Sequence, residues 1–310
     1  MKAIRIHAYG DSGVLCYGDA PRPVAGPGEV LIRVHASAVN PFDCAVHSGL
    51  ISGYFEYALP LIPGTDVSGV VEAVGEGVRD FREGDEVYGM AGGTRPGAYA
   101  EYVCAPAADV ARKPGSLDHI HAAALPHVTL TAWQALFAAG ELTAGQRVLI
   151  HGAAGGVGHI AVQLAKMRGA KVIGTASVNL GFLRQLGVDQ VIDYAETPFE
   201  KVVTDVDLVL DTIGGATQER SWGVLKPGGI LVSTVRPPSQ ETAKAHGVRQ
   251  AFAAAAPPVG SCLEEVAALV EAGRLRPEVS HVVPLQEIRK AHELIEGRHT
   301  RGKIALRVAA

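Results

Sequence analysis

The sequence predicts an α/β protein: a doubly wound parallel sheet of six strands, accompanied by a second domain of short strands. Two stretches carry the prediction. The first is Arg147-Val-Leu-Ile-His-Gly152-Ala153-Ala154-Gly155-Gly156-Val157-Gly158, a short apolar strand that ends in a glycine turn. It runs into His159–Arg168, where Ile160, Leu164 and Met167 recur at helical spacing. The second is the rhythm downstream, strand after helix after strand, which implies a parallel sheet with helical crossovers.

The elements follow in order. Lys171-Val-Ile-Gly-Thr175 reads as the second strand and Asn179–Leu186 as the next helix, stopped by Gly187. Val191-Ile192 is a short third strand, Asp207–Asp211 a fourth, and Gly229–Thr234 a fifth after the Lys226-Pro-Gly-Gly229 turn. A sixth lies near Val248–Ala254, and the helix Cys262–Ala272 with its Gly273 stop closes the segment. At the glycine turn, missing side chains let backbone N–H groups approach a pyrophosphate, with the helix N-terminus facing the anion. Gly155 and Gly158 match the second and third glycines of the dinucleotide fingerprint, while Ala153 stands where the first is expected. The segment is thus read as a Rossmann domain.

Before it, Met1 to Leu117 shows short strands separated by turns: Glu29–His35, Gly69–Val74 and Asp85–Tyr88, bounded by Pro27-Gly28, Gly75-Glu-Gly77 and Glu83-Gly84. Such spacing suggests a compact, barrel-type β domain. Leu117–Gly140 reads as a helical bridge with Ala122, Leu125, Leu130, Trp133, Leu136 and Phe137 as core contacts. From Pro277 the strands His281–Val283 and Lys303–Val308 flank the helix Leu285–Gly297, and this tail is expected to return to the first domain. The expected division is 1–120 with 276–310, and 121–275.

Composition excludes several function classes. A net charge of −4 offers no basic field for nucleic acid or an anionic membrane surface. Met1–Ile6 alternates like a strand and lacks the apolar core of a signal peptide, and no run approaches the ~20 apolar residues of a membrane span. Cys16, Cys44, Cys104 and Cys262 stand apart from one another, with neither disulfide nor zinc spacing. The expectation is a cytoplasmic protein with reduced thiols.

Several motifs together resemble the medium-chain dehydrogenase/reductase superfamily, in its zinc-free, quinone-oxidoreductase-like branch. They are Ser37-Ala-Val-Asn-Pro-Phe-Asp43, Pro63-Gly-Thr-Asp-Val-Ser-Gly69, Gly84-Asp85-Glu-Val-Tyr-Gly89, Leu130-Thr-Ala-Trp133, the Ala-Ala-Gly-Gly-Val-Gly turn and the tail His299-Thr-Arg-Gly-Lys303. The resemblance implies that the β domain is a GroES-like catalytic domain. Where zinc alcohol dehydrogenases have a ligating cysteine this chain has Asn40, and their Gly-His-Glu motif reads Gly64-Thr65-Asp66. Met90–Gly97, where the structural-zinc lobe is expected, has no cysteine. No metal is therefore expected. Without a Lewis acid the acceptor must already be electron-poor, a quinone or the β-carbon of an enone.

The candidate residues follow from that chemistry. A donor near the acceptor carbonyl would stabilise charge as it develops, and Asn40 is assigned this catalytic role, in contact with the cofactor by resemblance; the competing reading is an Asn that closes the turn before Pro41. Tyr54, Phe55 and Tyr57, in Leu50–Tyr57, are available to stack on a flat acceptor, or else cover the β domain. Ala45 and Ile51 stand where bacterial quinone reductases of this branch often carry tyrosines, so quinones and enones both stay open. Cofactor contacts are assigned to Ala154, Gly155, Gly156, Val157 and Gly158, and by resemblance to Thr131 and Tyr194. The expected cofactor is NADPH: Gly174–Asn179 holds no acid to repel a 2′-phosphate, and Ser177 and Asn179 offer donors. His47 and His127 read as core or surface residues, and no proton donor is assigned. A homodimer, paired at the edge strand Val248–Ala254, and a small-molecule quinone or enone partner complete the expectation. A non-catalytic, crystallin-like NADPH-binding role is the alternative from another class.

Overall fold

The computed structural model describes residues 1–92, 95–254, 259–297 and 299–308. In chain order the strands are β1 (Lys2–Arg5), β2 (Cys16–Asp19), β3 (Glu29–Val39), β4 (Asp66–Val74), β5 (Glu86–Met90), β6 (Tyr102–Pro106), β7 (Val110–Arg112), β8 (Arg147–Ile150), β9 (Lys171–Ala176), β10 (Gln190–Asp193), β11 (Val206–Asp211), β12 (Leu225–Ser233), β13 (Arg249–Phe252), β14 (Val279–Pro284) and β15 (Lys303–Arg307). The helices are α1 (Pro41–Ser48), α2 (His119–Ala123), α3 (Pro126–Trp133), α4 (Gly156–Met167), α5 (Leu180–Gln185), α6 (Gly215–Ser221), α7 (Gln240–Ala245), α8 (Val259–Glu271) and α9 (Ile288–Glu296). No described helix is long and apolar enough to cross a membrane.

The chain divides into two compact units, Met1–His127 with Pro257–Gly273 and Pro277–Ala310, and Val128–Ala256 with Arg274–Arg276. In the first, the main sheet runs β14-β15-β3-β4-β5-β7, and β6 also pairs with β3. β3 is long and buried along most of its length because β4, β6 and β15 all bond to it. Its register with β15 sets Ile304 opposite Val39 and Leu306 opposite Ser37. One core gathers Ile4, Ile6, Leu15, Val39, Ile288, Ile304 and Leu306; a second gathers Val30, Ile32, Val34, Val67, Val71 and Val87.

α1 begins where local chemistry tells it to. Pro41 fills the first helical position, whose N–H would have no partner. The Asp43 carboxylate accepts the backbone N–H of Asn40 at 2.9 Å, half of a capping box. Gly49, at φ 78°, ends the helix in the left-handed conformation.

The second unit holds the parallel sheet, in the order β10-β9-β8-β11-β12-β13, six strands among the described residues. Strand order reverses between β8 and β11, and in such sheets the ligand crevice lies outside the carboxyl ends at that point. Leu149, Ile173, Phe199, Val209, Trp222 and Leu231 pack as its core.

The expected domain limits shift in one substantial way. α8 belongs with the first unit, not with the parallel sheet, as do the residues up to His127. Tyr88 donates its hydroxyl to the Leu263 carbonyl at 2.5 Å. Gly260 lets α8 come so near that a Cβ there would stand 2.7 Å from the Ala108 carbonyl oxygen. A helix held at that distance by β5 and the turn before β7 packs with them whatever its place in the chain.

Candidate active site

In the second unit the glycine turn follows β8 directly. Gly152 takes φ 62°, so the left-handed residue falls one position before Ala153. Ala153 is fully buried and bonds through its N–H to the Thr175 carbonyl at 3.1 Å, which explains why an alanine is tolerated there. The first intrahelical bond of α4 runs from His159 N–H to Gly155 O. The amides of Gly156, Val157 and Gly158 precede it and have no intrahelical acceptor, and Gly155 at the N-cap supplies no side chain. This cradle fits a pyrophosphate. Below it, His151 links Thr175 Oγ1 at 3.1 Å and Ser221 Oγ at 3.0 Å, and burial pulls its pKa down to about 4, leaving a neutral ring.

Gly158 is the tightest point of the turn. A Cβ there would fall on the Gly152 carbonyl oxygen and stand 2.7 Å from Ala153 Cα. Both are backbone atoms, so α4 would have to lift off β8. Gly158→Ala should lower stability by about 1–3 kcal/mol and weaken nicotinamide dinucleotide binding, measured by thermal melting and by calorimetric titration. Wild-type values for both would show that the turn absorbs a methyl group.

The residues assigned to the adenosine end lie at the ends of β9 and β10. Ser177 donates its hydroxyl to Tyr194 Oη at 2.8 Å, so the structure brings these two together. Tyr194 is half exposed. Asn179 stands at φ 62°, immediately before α5. Arg184 lies on the exposed side of α5 and lines a shallow hollow with Gln190 and Asp193. Thr131 is buried in α3.

In the first unit, a buried polar cluster surrounds Asn40. The Lys303 ammonium donates to Asn40 Oδ1 at 2.5 Å, to the Val39 carbonyl at 3.0 Å and to Asp66 Oδ2 at 3.4 Å. Asn40 Nδ2 in turn faces Asp66 Oδ2 at 2.9 Å, Asp43 Oδ2 at 3.3 Å and Thr65 Oγ1 at 3.4 Å. Asp66 Oδ1 accepts the His127 backbone N–H at 2.8 Å. Asn40, Asp43, Thr65, Asp66 and Lys303 are all buried. Burial, with the Asp66 charge adding to it, raises the Asp43 pKa to about 7. Burial also depresses the Lys303 pKa and takes that of His127 down to about 4.

These contacts correct the expectation of a free amide donor at Asn40. Both ends of its side chain are already engaged, the oxygen by an ammonium and the nitrogen by carboxylates, because a buried amide among charges bonds to them before anything else. The same contacts test the metal that relatives of this fold imply. A zinc ion asks for thiolate, imidazole or free carboxylate ligands. Here the corresponding positions hold an amide, a hydroxyl and a carboxylate already bonded to a fixed cation, so the residues do not fit zinc. Sequence reasoning did not assign Lys303 to the site, although it closes the tail motif.

The aromatic loop is only partly assembled. Phe55 and Tyr57 stack with centroids 5.9 Å apart, and Phe42 meets Phe55 edge-on at the same separation. Burial, with the Asp43 charge adding to it, raises the Tyr57 pKa to about 12. Tyr54 is 86% exposed and makes no ring contact among the described residues. Of the expected wall, Phe55 and Tyr57 form a surface and Tyr54 stands apart.

Comparison with known proteins identifies the family. Residues 26–115 match the family model described as alcohol dehydrogenase GroES-like domain, and residues 186–306 match one described as zinc-binding dehydrogenase. The mitochondrial NAD(P)H oxidoreductase RTN4IP1 of Danio rerio is 34% identical over 99% of this chain and 91% of its own. The quinone oxidoreductase of Coxiella burnetii superposes with a TM-score of 0.93 at 39% identity, over 100% of this chain and 99% of its own. An Escherichia coli quinone oxidoreductase, solved in complex with NADPH, superposes with a TM-score of 0.91 at 28% identity, over 99% of this chain and 100% of its own. With a GroES-like unit, a dinucleotide turn and near full-length similarity to such enzymes, the chain belongs to the medium-chain dehydrogenase/reductase superfamily, among its quinone-oxidoreductase-like members, and is an NAD(P)H-dependent oxidoreductase.

Proposed function

We propose that this oxidoreductase uses NADPH to reduce a quinone or the electron-poor double bond of an enone, without a catalytic metal, and that it works as a homodimer. The observation that carries the reading is the Lys303 ammonium, bonded to Asn40, Asp66 and the Val39 carbonyl where a metal-dependent relative would hold its ion. A cation fixed by three acceptors does not polarise a substrate oxygen as a Lewis acid does. The acceptor must then bring its own electron deficiency. The dihydronicotinamide supplies hydride when bound. This chain's part is to hold the pyrophosphate at Gly156–Gly158, to present Phe55 and Tyr57 to a flat acceptor, and to keep Asn40 and Asp43 in one geometry. Water supplies the proton.

Preference for NADPH rests on the Ser177–Tyr194 hydroxyl pair and on the lack of an acid in Gly174–Asn179. Pairing of two copies rests on β13, the last strand in the sheet order, whose Phe252 is half exposed. Light scattering at micromolar protein should give twice the chain mass; a monomer would remove the dimer from the reading.

NADPH oxidation with a panel of quinones and enones tests the activity. Turnover without added metal, unchanged by chelator, is the expected result. Tight NADPH binding with no turnover of any acceptor would favour the non-catalytic alternative. Asn40 enters this reading as a positioning residue. Asn40→Ala removes the short bond to Lys303, about 1.4 kcal/mol or tenfold in rate. The loss should fall on kcat, with the KM for NADPH nearly unchanged. A proportional rise in both KM values with constant kcat would give Asn40 a merely structural place.

A further inference from the structure

α1 and α9 bring three metal-ligating side chains together. Cys44 and His47 are three residues apart on α1 and so share a face. His292 lies on the buried side of α9. One ligand atom from each of the three lies within 4.8 Å of the others. Cys44 Sγ and His292 Nδ1 are 3.5 Å apart. A tetrahedral zinc ion with a sulfur at about 2.3 Å and a nitrogen at about 2.0–2.1 Å sets those two ligand atoms ~3.5 Å apart. One edge of the tetrahedron is already in place.

His47 is held in a way that core packing does not require. His47 Nδ1 is 3.0 Å from the Gly10 carbonyl oxygen, which can only accept, so Nδ1 carries the hydrogen and the neutral ring keeps its lone pair on Nε2. An imidazole anchored through one nitrogen to a carbonyl, with the other left free, is how metal-ligating histidines are held. His47 is 1% exposed, and its Nε2 has no hydrogen-bond partner among the described residues. One helical turn beyond His292, Glu296 stands half exposed with Oε1 3.7 Å from His47 Nε2.

We propose that Cys44, His47 and His292 bind one zinc ion, with the Glu296 carboxylate as fourth ligand, in a site that clamps α1 to α9. This revises the expectation of no metal, and it is independent of the proposed reaction because the ion takes no part in hydride transfer. Charge balances: binding expels the Cys44 thiol proton to solvent, and thiolate and carboxylate together offset the two positive charges. The ion would fix the helix that follows Asn40 against the helix that leads into Lys303. Neither helix places the site by itself. The spacing Cys-x-x-His is on the first and His-x-x-x-Glu on the second, 248 residues away for the Cys44–His292 pair.

The test uses the full chain, stripped with a chelator and then given cobalt or zinc alone. One equivalent of cobalt should produce a thiolate-to-metal charge-transfer band with the visible bands of a tetrahedral ion, and zinc should displace it one for one. Saturating zinc should raise the melting midpoint by roughly 5 °C. Cys44→Ser should lose the charge-transfer band. Should that variant not fold, alkylation of the wild-type chain decides: zinc should protect Cys44 while leaving the exposed Cys16 reactive. Absence of the band and of stoichiometric zinc in the wild type overturns the proposal, as does a band that survives in Cys44→Ser or equal labelling of Cys44 with and without zinc.

Discussion

Replacing Lys303 by methionine should destabilise the first unit by about 3–5 kcal/mol, because the substitution keeps the volume and strands the buried carboxylate of Asp66. For a unit of this size the melting midpoint should drop by roughly 10 °C. The loss must depend on pH, and its sign follows from Asp43. An unfolded aspartate titrates near 3.9, whereas burial and the Asp66 charge hold folded Asp43 at about 7. A carboxyl with a raised folded pKa favours the fold while protonated, and that contribution disappears as pH climbs through the folded value. Without the ammonium, which now draws that pKa down, the Asp43 carboxyl rises further. The deficit of Lys303→Met against wild type should therefore be flat at lower pH and widen as pH rises above about 7, where the wild-type contribution has already been lost and the variant's is still falling. Adding Asp66→Asn should recover part of the loss by removing the stranded charge. Urea titrations of the three proteins at several pH values check this; a pH-independent deficit, or no rescue by the second change, would mean that packing and not charge holds the cluster.

Ser177→Asp should turn the cofactor preference toward NADH. In the wild-type chain the Ser177 hydroxyl bonds to Tyr194 at the ends of β9 and β10. An aspartate there sets a negative charge against the 2′-phosphate and offers an acceptor to ribose hydroxyls, the arrangement found in NAD-binding members of this architecture. Two unit charges about 4 Å apart repel by ~1 kcal/mol in water and ~4 kcal/mol near a protein surface. Ser177 is partly exposed, so kcat/KM for NADPH should fall about tenfold to a hundredfold. The NADH value should hold or rise. Tyr194→Phe, which removes a hydroxyl and adds no charge, should act in the same direction by less than about tenfold. The ratio of specificity constants for the two cofactors is the measurement. Better use of NADH by the unmodified protein, or an unchanged ratio in Ser177→Asp, would remove the 2′-phosphate from this corner.

What the chain determined by itself is local. The alternation of β8 to β13 with helices is visible because burial imposes a period on each short segment, and the glycine turn is visible because backbone approach forbids side chains. The start of α1 is equally local, since Pro41 and Asp43 act within one turn of Asn40. Ala153 looked like a defect in the fingerprint only because φ cannot be read from residue type; the left-handed position belongs to Gly152.

The tertiary structure decided what meets what. Lys303 and Asn40 are 263 residues apart, and only the pairing of Ile304 with Val39 in the β15–β3 register sets the ammonium beside the amide. A slip of one residue would turn Lys303 to the other face of the sheet. Nothing in the alternation of either strand states which residue of the other it will face. The same holds for α8, whose pattern marks a helix with one apolar side but not which sheet covers it, and for Cys44, His47 and His292, whose spacing shows no pattern until α1 lies on α9. Periodicity along a segment is set by the backbone of that segment, whereas juxtaposition between distant segments is set by register and packing, and these exist only once the cores have closed.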